Sequence, residues 1–227
     1  SKIFNPNEIF RSDENVCTKA PNIEELQLSK NATHHTIIHC DSLFELLKRN
    51  IVHELLSVYF NGKYILSTMG ISEIVPNQYV YTQKIHRDIR TFDKGSRLWI
   101  NTLIMLDDST EENGATWLLE GSHLSPNKPD EENFYKNSKR LTGKAGDVLL
   151  FDGNAWHAAG QNKTTKRRVI VTPIFCRPFI KQQINYPKIF DHKINQLDEF
   201  QKQLIGFNSL VPNSLDEFYQ KPENRFY

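Results

Sequence analysis

Residues 146–157, Gly146-Asp147-Val148-Leu149-Leu150-Phe151-Asp152-Gly153-Asn154-Ala155-Trp156-His157, and residues 167–173, Arg167-Arg168-Val169-Ile170-Val171-Thr172-Pro173, decide how this chain is read. Val148 to Phe151 is a short apolar run closed by the turn pair Asp152-Gly153. A histidine follows, then a polar loop, then a β-branched run entered by two arginines. A histidine held between two strands has the fixed ring that a metal ligand needs. An arginine entering the next strand is suited to clamping a carboxylate.

Working outward, the same kind of short, turn-bounded run recurs from residue 63 onward. Lys63 to Ser67, Gln78 to Thr82, Leu98 to Leu106, Ala115 to Leu119, Val148 to Phe151 and Arg168 to Phe175 are the expected strands, separated by Asn61-Gly62, Pro76-Asn77, Asn113-Gly114 and Gly143. Many short strands with few helices between them predict a mainly β fold, a sandwich or barrel. A jelly roll is the closed form best suited to holding a small-molecule site. Upstream, Asp41-Ser42 is an expected N-cap for a helix with Leu43, Leu46, Leu47, Ile51, Leu55 and Val58 on its apolar face, ending at Asn61-Gly62. Residues 1 to 33 are expected to be irregular, residues 125 to 140 an exposed excursion, and the tail, with Leu197 to Ile205 and Ser214 to Tyr219, helical again. The expectation is a single domain over 1–227, with a barrel over about 63–178 and helical flanks over about 41–61 and 195–220.

With 28 basic and 27 acidic side chains the net charge is +1, so charge makes no case for nucleic acid or an anionic membrane as partner. Three cysteines, Cys17, Cys40 and Cys176, without CxxC spacing argue against a disulfide framework and a zinc ribbon. No run approaches the ~20 apolar residues of a membrane helix, and the start lacks the pattern of a signal peptide. A cytoplasmic protein is the expectation.

The chemistry begins at His86-Arg87-Asp88. In extended backbone side chains alternate, so His86 and Asp88 share a face that Arg87 does not. His157 would complete two histidines and one carboxylate on one face of an octahedral ion, a set that suits Fe(II) and leaves positions open for substrates and O2. Arg168 lies eleven residues beyond His157 and shares a strand face with Ile170 and Thr172, while Arg167, Val169 and Val171 take the other. An inward arginine needs an anionic partner, which a dicarboxylate cosubstrate would supply. Lys163, Lys166 and Arg167 read instead as a solvated basic loop. His34, His35 and His39 read as structural or exposed, His53 as a packed or solvated side chain, and Arg90, Tyr79 and Tyr81 as candidates for a substrate pocket.

These pieces together resemble the phytanoyl-CoA dioxygenase (PhyH-like) family of Fe(II)- and 2-oxoglutarate-dependent oxygenases. The resemblance rests on His86-Arg87-Asp88, on Glu112-Asn113-Gly114-Ala115-Thr116 leading to Gly121-Ser122-His123, on Ala145-Gly146-Asp147 with Phe151, and on Trp156-His157 with Gly160, Asn162 and Arg168. It implies a double-stranded β-helix (jelly roll, cupin-like) with flanking α-helices, iron on His86, Asp88 and His157, and the far carboxylate of 2-oxoglutarate on Arg168. It further implies that Gln83 and Thr116 approach the cosubstrate. Glu120 stands where the family usually has proline, and Ala159 where some members have serine. The implied activity is hydroxylation of a small metabolite with consumption of O2 and release of succinate and CO2. The intact carboxylate of Asp88 argues against halogenation. Two alternatives stay open from the residues: a catalytically silent jelly-roll binding protein and a cupin-type metal isomerase.

Overall fold

The structure is a computed structural model that describes residues 32–48, 50–89, 91–221 and 223. Among the described residues there are eight strands: β1 (Ala32–His34), β2 (Ile65–Ile74), β3 (Trp99–Met105), β4 (Thr116–Leu119), β5 (Ser138–Leu141), β6 (Val148–Asp152), β7 (His157–Ala158) and β8 (Arg168–Cys176). They form two antiparallel sheets, a five-stranded one in the order β1-β2-β8-β3-β6 and a three-stranded one in the order β5-β4-β7. This is the jelly roll the strand pattern predicts. Six helices flank it: α1 (Ser42–Leu47), α2 (Asn50–Phe60), α3 (Glu131–Asn137), α4 (Tyr186–Phe190), α5 (Glu199–Ile205) and α6 (Leu215–Phe218).

The large sheet is covered on both faces, and β2 and β8 are buried almost throughout. On one side Leu66, Met69, Val169, Val171 and Phe175 pack with Phe44, Leu56, Phe60, Phe190 and Leu204 of the helices. On the other, Leu103, Phe151 and Ile170 meet Leu118 and Leu141 of the small sheet. Each such side chain contributes about 1.5–3 kcal/mol by leaving water. The β2–β8 register places Ile74 opposite Arg168 and Gly70 opposite Thr172, so every second residue of β8 from Arg168 onward faces the small sheet.

Several expectations are corrected. The helix over 41–61 is two helices, broken after Leu47. Asp41 does not cap it, because its backbone is already helical (φ −64°, ψ −26°) and a capping side chain needs extended backbone. His53 closes the break, bonding the Leu47 carbonyl and the Tyr64 hydroxyl, so its reading as a packed side chain holds. The break rotates the buried face: Val52, Leu56 and Phe60 are buried, while Leu55 and Val58 are 50% and 76% exposed. Residues 78–82 are no strand but lead into a 3₁₀ turn at Tyr81–Gln83, where the Gln83 side-chain oxygen accepts from the Val80 amide (3.0 Å). The excursion over 125–140 contains α3, capped by Asp130 and anchored by the fully buried Phe134, and then β5. Residues 1–31, with Cys17, and Arg90 lie outside the described residues, so the expectations for them are not addressed. Among the described residues no helix is long and apolar enough to cross a membrane.

Candidate metal and cosubstrate site

The small sheet carries the histidines. His86 and His157 pair across an isolated antiparallel bridge, each backbone amide donating to the other's carbonyl at 3.0 Å, which sets their rings 4.3 Å apart between centroids. Asp88, two residues on, comes round to the same side: His86 Nε2 lies 3.5 Å from Asp88 Oδ1 and His157 Nε2 3.5 Å from Asp88 Oδ2. The three ligand atoms lie within 4.8 Å of one another, the arrangement that the alternation of His86 and Asp88 predicts.

The rings are locked from behind. His86 Nδ1 bonds the Lys84 carbonyl (2.7 Å) and His157 Nδ1 the Ala155 carbonyl (3.0 Å), so each Nδ1 donates and each Nε2 is left with a lone pair aimed at the carboxylate. In the neutral rings those lone pairs repel the carboxylate unless a proton or a metal cation stands between them. The donor set therefore fits a divalent iron-type ion on chemical grounds. Burial opposes the charge on Asp88, yet the His157 and His86 imidazoles and the Asn101 amide outweigh it and hold the carboxyl at about 2. Burial also works against a proton on His86, but Asp88 prevails and raises its pKa. At His157 burial wins over Asp88 and lowers it.

Around the triad the structure adds a residue that the sequence reading missed. Asn101, buried on β3, donates from Nδ2 to Asp88 Oδ2 at 2.5 Å and steadies that carboxylate. The available signal was one amide on the inward face of an otherwise apolar strand. Arg87 turns away from the carboxylate, as alternation requires. Its guanidinium donates to the carbonyls of Ser122 (3.1 Å), Ser125 and Pro126 (3.3 Å), and it stacks on Trp156 at 4.4 Å. It thus ties residues 122–126 to the residue before His157.

Arg168 is 1% exposed. It donates to the Gly114 carbonyl (2.6 Å) and the Asn113 carbonyl (3.3 Å), and among the described residues no carboxylate comes within ion-pair distance. Burial and the like charge of Arg140 push its pKa down to about 10, with Asp107 opposing. Gly114 has φ +90°, and a Cβ there would meet the Gly160 carbonyl oxygen at 2.6 Å, so the turn that presents these carbonyls requires glycine. Arg167 points the other way and pairs with Glu73 at 2.9 Å.

A cavity of about 280 Å³ opens on the triad and is also lined by Thr116, Asn101 and Ile170. Arg168 is not in its wall; Ile74, its partner across the β2–β8 ladder, and Ile170 stand between. Nor is Gln83, whose amide is engaged by the Val80 amide and by the Gly160 carbonyl (3.3 Å). Of the suggested pocket residues Tyr81 lines the cavity, while Tyr79 is 61% exposed. His34, read as structural or exposed, lines it too, because β1 lays it across the opening.

Known proteins resemble this chain in sequence and in fold. Residues 3–170 match the phytanoyl-CoA dioxygenase (PhyH) family. An uncharacterized protein of Mycobacterium tuberculosis is 34% identical over 149 residues, covering 65% of this chain and 55% of the relative. The dioxygenase ALT11 of Alternaria alternata is 26% identical over 207 residues, covering 83% and 67%. The chain thus spans about half the length of the mycobacterial relative. Among solved structures the non-heme monooxygenase ThoJ has a TM-score of 0.61 at 14% identity over 79% of this chain and 69% of its own. Iron-bound EctD from S. alaskensis has a TM-score of 0.56 at 18% identity, covering 78% and 71%. With residues 3–170 matched, well over half its length, the chain belongs to the phytanoyl-CoA dioxygenase (PhyH) family.

Proposed function

We propose that this protein is an Fe(II)- and 2-oxoglutarate-dependent dioxygenase that hydroxylates a small-molecule metabolite, with a single catalytic domain carrying the whole site. His86, Asp88 and His157 would hold the iron, and Arg168 the far carboxylate of 2-oxoglutarate. The observation that carries this reading is the pair of histidine Nε2 atoms converging on the two oxygens of one carboxylate at 3.5 Å. When bound, iron and 2-oxoglutarate supply O2 activation, with one oxygen atom leaving in succinate, CO2 released and the other atom inserted into the substrate.

The chain's own residues bind, orient and exclude water. The Lys84 and Ala155 carbonyls accept from Nδ1 of each histidine, so in the neutral ring Nε2 is the nitrogen free to bind metal and it is aimed inward. Asn101 holds Asp88 Oδ2. A cosubstrate carboxylate at Arg168 would give this buried guanidinium the anion it lacks among the described residues, and a charge-assisted pair there is worth more than one in water. Thr116, in the wall between, offers a neutral hydroxyl to the cosubstrate without competing for the metal. Gln83 can do the same only if it gives up its bonds to Val80 and Gly160. Phe151, edge-on to His157 at 5.0 Å, and Ile170 keep the surroundings dry.

The test is anaerobic addition of Fe(II) and 2-oxoglutarate, which should produce a weak visible charge-transfer band. His157→Ala should abolish the band while leaving the fold intact by circular dichroism. Absence of the band in folded wild-type protein, or its survival in the variant, would refute the reading.

A further inference from the structure

Ile170, Thr172 and Ile174 of β8 line the cavity, as does Ile74 of β2, the ladder partner of Arg168. Arg168, Ile170 and Thr172 lie on one face of β8, so Thr172 stands about 13 Å along the strand from Arg168 at the usual rise per residue. Thr172 is opposite Gly70, and Gly70 is opposite His34 of β1. A Cβ on Gly70 would meet Thr172 Oγ1 at 3.1 Å, the Thr33 carbonyl at 3.3 Å and the His34 ring at 3.9 Å, so the bare glycine keeps this end open. Tyr81 closes the far side, its hydroxyl 3.1 Å from His34 Nε2.

Among the described residues this end is polar and uncharged. Arg87 and Asp88 are the only Lys, Arg, Asp or Glu residues among the described residues lining the cavity. Arg87 is engaged by carbonyls and Trp156, and Asp88 by the triad and Asn101. His34 is open to solvent at its outer edge, yet burial of the ring lowers its pKa, with Asp88 opposing. Burial raises that of Tyr81, with Asp88 adding to it. Both are thus neutral near neutral pH, and an imidazole–phenol pair can donate and accept together. His34 Nδ1 makes no hydrogen bond among the described residues, and the buried hydroxyl of Thr82 has no partner either. A buried hydroxyl without a partner, as at Thr82, is costly, and a ligand that satisfies it recovers that cost.

We propose that the end of the cavity walled by His34, Tyr81 and Thr172 is the substrate subsite, and that it takes a small uncharged molecule bearing hydroxyl or carbonyl groups. This rests on the function proposed above, which places 2-oxoglutarate on the Arg168 side of the triad. At about 280 Å³ the whole cavity falls below the ~300–1,000 Å³ common for a drug-sized ligand, and the cosubstrate takes part of it. An acyl-CoA would bring phosphates that meet no free cation in this wall. A zwitterionic amino acid would bring an ammonium whose only carboxylate is Asp88.

The test uses the full chain loaded with Zn(II) and 2-oxoglutarate, with three size-matched probes read by saturation-transfer NMR: trans-1,2-cyclohexanediol, cyclohexanecarboxylate and cyclohexylammonium. The diol alone should give transfer. The signal should fall about tenfold in the His34→Leu/Tyr81→Phe double variant and several-fold in the near-isosteric Thr172→Val. The Fe(II)–2-oxoglutarate band should remain in all variants. A charged probe binding as well as the diol, no transfer to the diol, or an undiminished diol signal in both Thr172→Val and the double variant would overturn the subsite. Loss of the band in wild-type protein would instead sink the underlying function, so the two failures are distinguishable.

Discussion

The two sheets are built differently. The five-stranded sheet is held by long registers, ten residues of β2 against nine of β8, with apolar side chains on both faces. The three-stranded sheet has strands of four, four and two residues and only partial burial, yet it carries His157 and Thr116 and borrows His86 through a bridge. One supplies stability by area. The other supplies position, through side chain to backbone bonds such as His86 to Lys84, His157 to Ala155, and Arg87 to residues 122–126. A short sheet leaves room for ligand atoms, and a long one behind it keeps that sheet in place.

Variants on either side of this division should separate stability from binding. The largest effect is expected from Phe175→Ala in the large sheet. Phe175 is fully buried and packs edge-on against Tyr64, so chemical denaturation should show a loss of about 3–5 kcal/mol. Metal affinity of the still-folded fraction should stay within a few-fold of wild type. Arg168→Met should do the reverse. It removes the buried charge along with its need for an anion, so calorimetry should show 2-oxoglutarate affinity falling by about 2–5 kcal/mol with metal affinity nearly unchanged. Asn101→Ala, which frees Asp88 Oδ2, should weaken Co(II) binding, followed by its visible spectrum, by about 10–100-fold.

The smallest effect sharpens the same contrast through pH. His86 is raised above the ordinary imidazole value of ~6.5, so its proton competes with metal at a higher pH than an unperturbed histidine's would. Metal affinity should fall as pH drops, by about tenfold per unit once below that raised value. In metal-free protein the linkage has the opposite sign. A raised His86 favours the folded state below the unfolded pKa, and that contribution is lost as pH rises through the folded pKa. The Asp88 carboxyl, held at about 2, contributes above its unfolded value of ~3.9 and loses its contribution as pH falls toward 2. The lowered His157 contributes with the opposite sign to His86, so thermal melts against pH should show a shallow slope near neutrality without Co(II) and stability rising with pH in its presence.

Much of this was legible in the chain because strands have a period of two. Alternation alone puts His86 and Asp88 together and Arg87 apart, and separates inward Arg168 from Arg167, which pairs with Glu73. What misread locally did so for stated reasons. The seam of α1 does not continue into α2 because the chain breaks at Leu47 and His53 takes up the freed carbonyl. α3 went unseen because one buried phenylalanine anchors an otherwise polar helix.

By itself, then, the sequence determined the class of fold, the three candidate metal ligands and the arginine with its facing, since each follows from spacing within one extended segment or from motifs in order. Tertiary structure decided the rest. Which helical face is buried, that Asn101 grips Asp88, that Gln83 is turned to backbone, and that His34 reaches across β2 to Tyr81 all depend on pairings between segments far apart in the chain. No local period encodes those pairings, because they are set when the two sheets and their helices pack as one.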